Sequence, residues 1–172
     1  MNFLEKDLEE IIFSSSRQEL ENRGLYIGAR GCLIRQKRIG NYGIADLVHV
    51  TRPFYHPLLK QVCKGEINII ELKQDKIGIS AFLQALGYLK GVRSYLTKRN
   101  KDHLFNYTIT LIGKTIDLNS SFVYLSQFTN WPEDVELSNN SEFHLRNFLY
   151  KYNIDGLSFE ESDYYQLIDE GF

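Results

Sequence analysis

Apolar residues recur at helical spacing in two stretches of the chain. Leu4, Leu8, Ile11 and Ile12 predict an amphipathic helix over residues 3–13, with Asn2 as its candidate N-cap. Glu5 and Glu9 are four positions apart and share one side of that helix. Ser14, Ser15 and Ser16 break the pattern, and a weaker helical or loop stretch runs to Asn22. Ile79, Phe82, Leu83, Leu86, Leu89 and Leu96 predict a second helix over residues 78–97, with Arg93 as an unexplained charge within the stripe. Between the helices lie strand-like segments. They are Gly24–Leu33, Tyr42–Val50 as the second arm of a hairpin, and the β-branched run Ile67–Lys73. The polar stretch Arg35–Asn41 reads as the turn of that hairpin. Pro53 and Pro57 mark residues 51–64 as a loop with a short helical piece. Tyr107–Ile112 is a further strand and Phe122–Phe128 a candidate one. A loop holds Trp131 and Pro132, a helix is expected over residues 141–152 with Ser141 as cap, and Asp155-Gly156 is a turn. The order helix, strand, strand, strand, helix, strand predicts an α/β fold in which helices cover the faces of one mixed sheet.

Length changes this picture little: 172 residues suit a single domain, and no repeat, low-complexity tract or linker divides them. Met1–Asp7 is acidic early and lacks a long apolar run, so no signal peptide is expected. No stretch is apolar enough to span a bilayer, and a cytoplasmic protein without membrane contact is the expectation. Cys32 and Cys63 are too few for a disulfide framework or a zinc cluster and read as buried, reduced thiols. Charge matters more. The net charge of −2 divides into −2 over residues 1–34, +9 over 35–101 and −9 over 102–172. A basic middle attracts a polyanion, whereas the acidic segment 157–172 opposes that attraction or meets a protein partner of its own.

The candidate chemistry lies in the basic middle. Alternation along Ile67–Lys73 puts Glu71 and Lys73 on one face, with Ile70 and Leu72 on the other. Asp46 is a lone carboxylate in the apolar run Ile44-Ala45-Asp46-Leu47-Val48. Taken alone, it reads as a carboxylate satisfied by a lysine or by backbone donors. With Glu71 and Lys73 at hand it reads as a metal ligand, provided the two strands pair. Magnesium takes hard oxygen ligands and keeps several waters, so two carboxylates and a carbonyl suffice to hold it. A lysine beside it can orient water or stabilise phosphate charge. Gln84 and Tyr88 follow, four apart, on the side of the second helix away from its leucine stripe.

A helix with Glu5 and Glu9, a strand with Asp46, a strand with Glu71-x-Lys73 and a helix with Gln84-x-x-x-Tyr88 together resemble the PD-(D/E)XK nuclease superfamily. Its members include restriction endonucleases and RecB-type nuclease domains. The resemblance covers residues 3–112, about two-thirds of the chain, and leaves 113–172 as an elaboration ending in the acidic tail. It implies a restriction-endonuclease-like core with a central mixed sheet flanked by helices, and a deoxyribonuclease that needs magnesium, with manganese as a substitute. It implies further that Asp46, Glu71 and the Leu72 carbonyl hold the metal, that Lys73 orients or activates water, and that Gln84 contacts the site, with Tyr88 beside it. Glu5, slightly ahead of Glu9, would join from the first helix. Ala45 stands where the family name has proline. Arg35, Lys37 and Arg38 at the expected hairpin tip, and Lys90, Lys98 and Arg99 around the second helix, would meet DNA phosphates without reading sequence. His49 and His56 read as structural or surface residues and Trp131 as core. Many relatives dimerise to cut two strands. The alternative is a catalytically silent module on the same fold that binds nucleic acid or protein.

Overall fold

Ile67 and Ile69 turn to one side of a strand while Ile70 and Leu72 turn to the other, and all four are at most 5% exposed. Such two-sided burial marks a central strand covered on both faces. The computed structural model describes residues 4–28, 30–118, 121–122, 143–154 and 156–162. Its elements are α1 (Glu5–Ser14), α2 (Arg17–Asn22), β1 (Cys32–Arg38), β2 (Ile44–Thr51), β3 (Phe54–His56), β4 (Gln61–Cys63), β5 (Gly65–Leu72), β6 (Lys76–Ile77), α3 (Ile79–Thr97), β7 (Phe105–Gly113), β8 (Thr115–Ile116), β9 (His144–Asn153) and β10 (Gly156–Glu161). Six strands form a mixed sheet in the order β1-β2-β5-β7-β9-β10. The β1-β2-β5 meander and the β9-β10 pair are antiparallel, whereas β5-β7 and β7-β9 are parallel. A parallel neighbour needs a crossover, and α3 supplies the one from β5 to β7.

Each face of the sheet carries its own core. On one, Phe82, Ala85 and Leu89 of α3 pack on Ala45, Ile69, Ile109 and Leu111. On the other, Leu8 and Ile12 of α1 and Leu20 of α2 pack on Leu47, Ile70, Leu72 and Ile112. Burying each of the Leu, Ile and Phe side chains contributes roughly 1.5–3 kcal/mol. Arg93, the charge within the α3 stripe, pairs with Asp102 at 3.3 Å, and the Tyr107 hydroxyl donates to the same carboxylate at 2.7 Å. That cluster ties the C-terminal half of α3 to the start of β7.

Several expectations are corrected. Residues 24–28 and 30–31 are irregular, and β1 starts only at Cys32 and runs through the expected turn to Arg38; the chain then reverses in a 3-10 turn, Gly40–Tyr42. Residues 51–64 contain the β3-β4 hairpin, in which Pro53 and Pro57 sit outside the strands. The expected helix over 141–152 is β9. Its Leu145 and Leu149 face the α3 side and Phe148 and Tyr150 the α1 side, the period of two that a central strand needs. The acidic segment begins as strand β10, which Gly156 enters with φ of +108°. Cys32 is exposed and Cys63 half-buried, both free, so neither is the expected buried thiol. Leu83 is 55% exposed and leaves the stripe. His49 is fully buried with Nε2 2.7 Å from the Arg30 carbonyl oxygen. Asn2, Trp131, Ser141, Asp155 and most of 122–128 lie outside the described residues. No helix among the described residues is long and apolar enough to cross a membrane.

Candidate functional site

The site forms where β2 enters the sheet and β5 leaves it. Their antiparallel register runs from Thr51↔Glu66 to Leu47↔Ile70. One step past the last pair come Asp46 on β2 and Glu71 on β5, and the Asp46 carboxylate reaches across to the Leu72 amide. Burial first, and then the charge of Asp46, pushes Glu71 up to about 7. Burial likewise raises Asp46, against the lowering effect of the Leu72 amide and Lys73. Both carboxylates make one defined contact. Asp46 Oδ2 accepts from the Leu72 amide at 2.9 Å, and Glu71 Oε1 accepts from Lys73 Nζ at 2.8 Å. Burial works to lower the Lys73 ammonium, but the Glu71 hydrogen bond and the charges of Glu71, Glu5 and Asp46 outweigh it and hold Lys73 above its ordinary value.

A local break in the β1-β2 ladder shapes this corner. Pairing runs to Arg35↔Leu47 and resumes at Lys37↔Ala45, and Gln36 between them takes φ of +49°. Ala45 then joins the α3-side core although Leu47 joins the α1-side core. The alternation therefore slips at Asp46, the residue between them. Interruptions of this kind re-aim side chains at the ends of paired strands.

Helix α1 closes the corner from the other side. Glu5 Oε1 accepts from the Gln74 amide at 3.3 Å, and its charge reaches Asp46, Glu71 and Lys73. Glu9 is 4% exposed and accepts from Arg35 Nε on one oxygen and Gln36 Nε2 on the other. Arg35 also donates to Glu10. Glu5, Glu9, Asp46 and Gln74 line one open cleft of about 670 Å³, together with Lys6, Arg35 and Gln36. The structure thus brings Glu5, Glu9, Asp46, Glu71 and Lys73 together, from three elements.

Other expected site residues fall elsewhere. Tyr88 is 4% exposed within the α3-side core, so it lines no groove and offers no face to a nucleic acid. Its hydroxyl accepts from Gln84 Nε2 at 2.8 Å. The pair sits against the entry of β2: a Cβ added to Gly43, at φ of +118°, would lie 3.0 Å from the Tyr88 ring. Arg35 is not at a hairpin tip but inside β1, where two glutamates occupy its guanidinium. Lys37, Arg38, Lys90, Lys98 and Arg99 are exposed.

Sequence reasoning missed Gln36 and Gln74. Gln36 looks like a turn residue until β1 is seen to extend past it. The role of Gln74 rests on its backbone amide, which no residue type announces. The Tyr150 hydroxyl donates to the Gln74 carbonyl and fixes the segment after Lys73 from β9.

The donor set fits a hard divalent cation. Glu71 is 1% exposed, and its Oε2 has no hydrogen-bond partner among the described residues. A buried carboxylate oxygen without a partner costs free energy unless a cation or water meets it. Among the described residues no three His, Cys, Asp or Glu side chains are gathered in metal-holding geometry. Two carboxylates and the Leu72 carbonyl do not require such a triple, because magnesium retains waters. No family model matches this chain, and neither the curated proteins nor the solved structures contain a match.

Proposed function

We propose that the chain is a metal-dependent nuclease of the PD-(D/E)XK type, with a restriction-endonuclease-like core, that hydrolyses DNA phosphodiesters. The observation that carries this reading is the buried oxygen of Glu71, without a partner among the described residues, on β5 next to the strand that carries Asp46. The order of α1, the β1-β2-β5 meander, α3 and β7 supports it. Asp46, Glu71 and the Leu72 carbonyl would hold the ion, with Glu5 at the margin. When bound, a divalent cation polarises the phosphoryl oxygen and makes hydroxide available near neutral pH. Lys73, held above its ordinary value, stays an ammonium at neutral pH. Its part is to orient water and neutralise phosphate charge rather than to remove a proton. Glu9, braced by Arg35 and Gln36, positions α1 beside the site.

The decisive experiment incubates linear, circular and single-stranded DNA with magnesium and compares the wild type with Lys73→Ala. Cutting by the wild type and a loss of about 10²-fold or more in the variant is the expected result. Equal cutting by both proteins rules the site out.

The second reading is a module that binds nucleic acid or protein without cutting. It draws on the protein partners that Asp46 and Glu71 already have, the Leu72 amide and Lys73. DNA binding without cleavage in either magnesium or manganese would select it.

A further inference from the structure

Two basic clusters far apart in sequence meet at one groove. Lys37 and Arg38 end β1, Lys98 and Arg99 follow α3, and all four line a groove of about 820 Å³ between α3 and the β1-β2-β5 meander. Its floor is apolar, lined by the buried Val48 and Ile67 and the half-buried Val50, and no described residue that lines it is acidic. Two tyrosines stand at its mouth, Tyr42 at 45% and Tyr95 at 56% exposure. Tyr42 is seated on the backbone of α3: a Cβ added at Gly91 would come within 2.6 Å of its ring. Tyr95 carries the Arg99 guanidinium 3.6 Å from its ring centroid, which makes a layered planar platform.

We propose that this groove seats a single strand of DNA, with unstacked bases on Tyr42 and Tyr95 and phosphates on Lys37, Arg38, Lys98 and Arg99. Aromatic platforms beside a cationic rim are the chemistry that holds single strands, because every base offers a π-face and every nucleotide a charge. A duplex hides its base faces and presents phosphate and sugar, so it would engage the rim and leave the apolar floor unused. The absence of lining carboxylates matches a polyanion. Tyr42 lies four residues before Asp46, at the reversal between β1 and β2, so the groove and the candidate site draw on the same strands from different faces. The inference rests on the nuclease reading for its substrate class, and it makes that substrate a strand already opened, frayed or displaced.

The test is fluorescence anisotropy of labelled oligothymidylate and of a duplex of equal length, in EDTA so that nothing is cut. The wild type is expected to bind oligothymidylate more tightly than duplex. Tyr42→Ala with Tyr95→Ala should weaken the single strand about tenfold or more, while Tyr42→Phe with Tyr95→Phe retains it, all at unchanged melting temperature. Lys98→Ala with Arg99→Ala should lower the slope of log affinity against log salt by about 1.4. Preference for duplex, or indifference to loss of the two rings, overturns the proposal. So does tighter binding of a synthetic peptide of residues 162–172, which would make the groove a seat for acidic peptide. Ring-dependent binding in EDTA together with no cutting in magnesium would sink the nuclease and keep the groove. Cutting that depends on Lys73 but not on either tyrosine would do the reverse.

Discussion

Asp46 and Glu71 stand on neighbouring antiparallel strands β2 and β5, one step past the last paired residues, Leu47 and Ile70, and the charge of Asp46 acts on Glu71. Glu71 is buried and feels the charge of the half-buried Asp46, so the two cannot both ionise without cost. The Lys73 ammonium offsets part of that cost, and the free Oε2 of Glu71 marks where compensation is incomplete.

A buried acid that titrates high destabilises the fold once it ionises. Glu71 is raised from 4.5 to about 7, so the folded state holds its proton more tightly than the unfolded chain does. Stability therefore falls as pH rises through that window, by on the order of 3 kcal/mol. Glu71→Gln is expected to melt higher than the wild type in EDTA at about pH 8 and level with it at about pH 5, while losing all cutting. A variant that melts lower at both pH values would make Glu71 a plain structural partner of Lys73.

Magnesium needs the carboxylates deprotonated. At one fixed magnesium concentration, the rise in melting temperature should be larger at about pH 8 than at about pH 6. Asp46→Asn should lose most of that rise. A rise that ignores pH, or survives Asp46→Asn, would place the ion elsewhere.

Arg35 and Lys37 lie two residues apart in β1 and should behave differently. Arg35 is spent on Glu9 and Glu10, and removing it leaves the buried Glu9 short of a donor. Arg35→Ala is expected to lower the melting temperature by several degrees. Lys37 is exposed at the groove. Lys37→Ala should leave melting unchanged and reduce the salt slope of DNA binding by about 0.7–0.9. Thermal denaturation and salt titration on the two variants, side by side, separate the roles.

Gly43 connects α3 to the site. Its φ of +118° strains any side chain there, and the 3.0 Å approach of the Tyr88 ring means that an added Cβ would push the ring aside. Gly43→Ala should cost about 1–3 kcal/mol of stability and displace the strand entry three residues before Asp46. Cutting should fall more than stability alone explains. Wild-type rates in a stably folded Gly43→Ala protein would show that the Gln84–Tyr88 pair does not position β2.

Periodicity in the sequence was enough to define the two helices, because a period near 3.6 and a stripe of leucines are local facts: α3 spans Ile79–Thr97 against an expected 78–97. It also defined β5, whose β-branched run carries the preference in its own residues, and the charged set Asp46, Glu71 and Lys73. Period-two alternation put Glu71 and Lys73 on one face, but only strand pairing could bring Asp46 near Glu71. The remainder was decided by partners distant in the chain. The segment at 144–153 has helix-compatible residues and becomes a strand because β7 offers it a parallel neighbour and both faces a core. Tyr88 looked like a site residue on its helix and is buried because Gly43 receives its ring. Glu9 gained Arg35 and Gln36, and two basic clusters some sixty residues apart met at one groove, only once the meander and α3 had packed. Local spacing sets which way a side chain points along its own element. Which other side chain it meets depends on register and packing, to which no single segment holds the key.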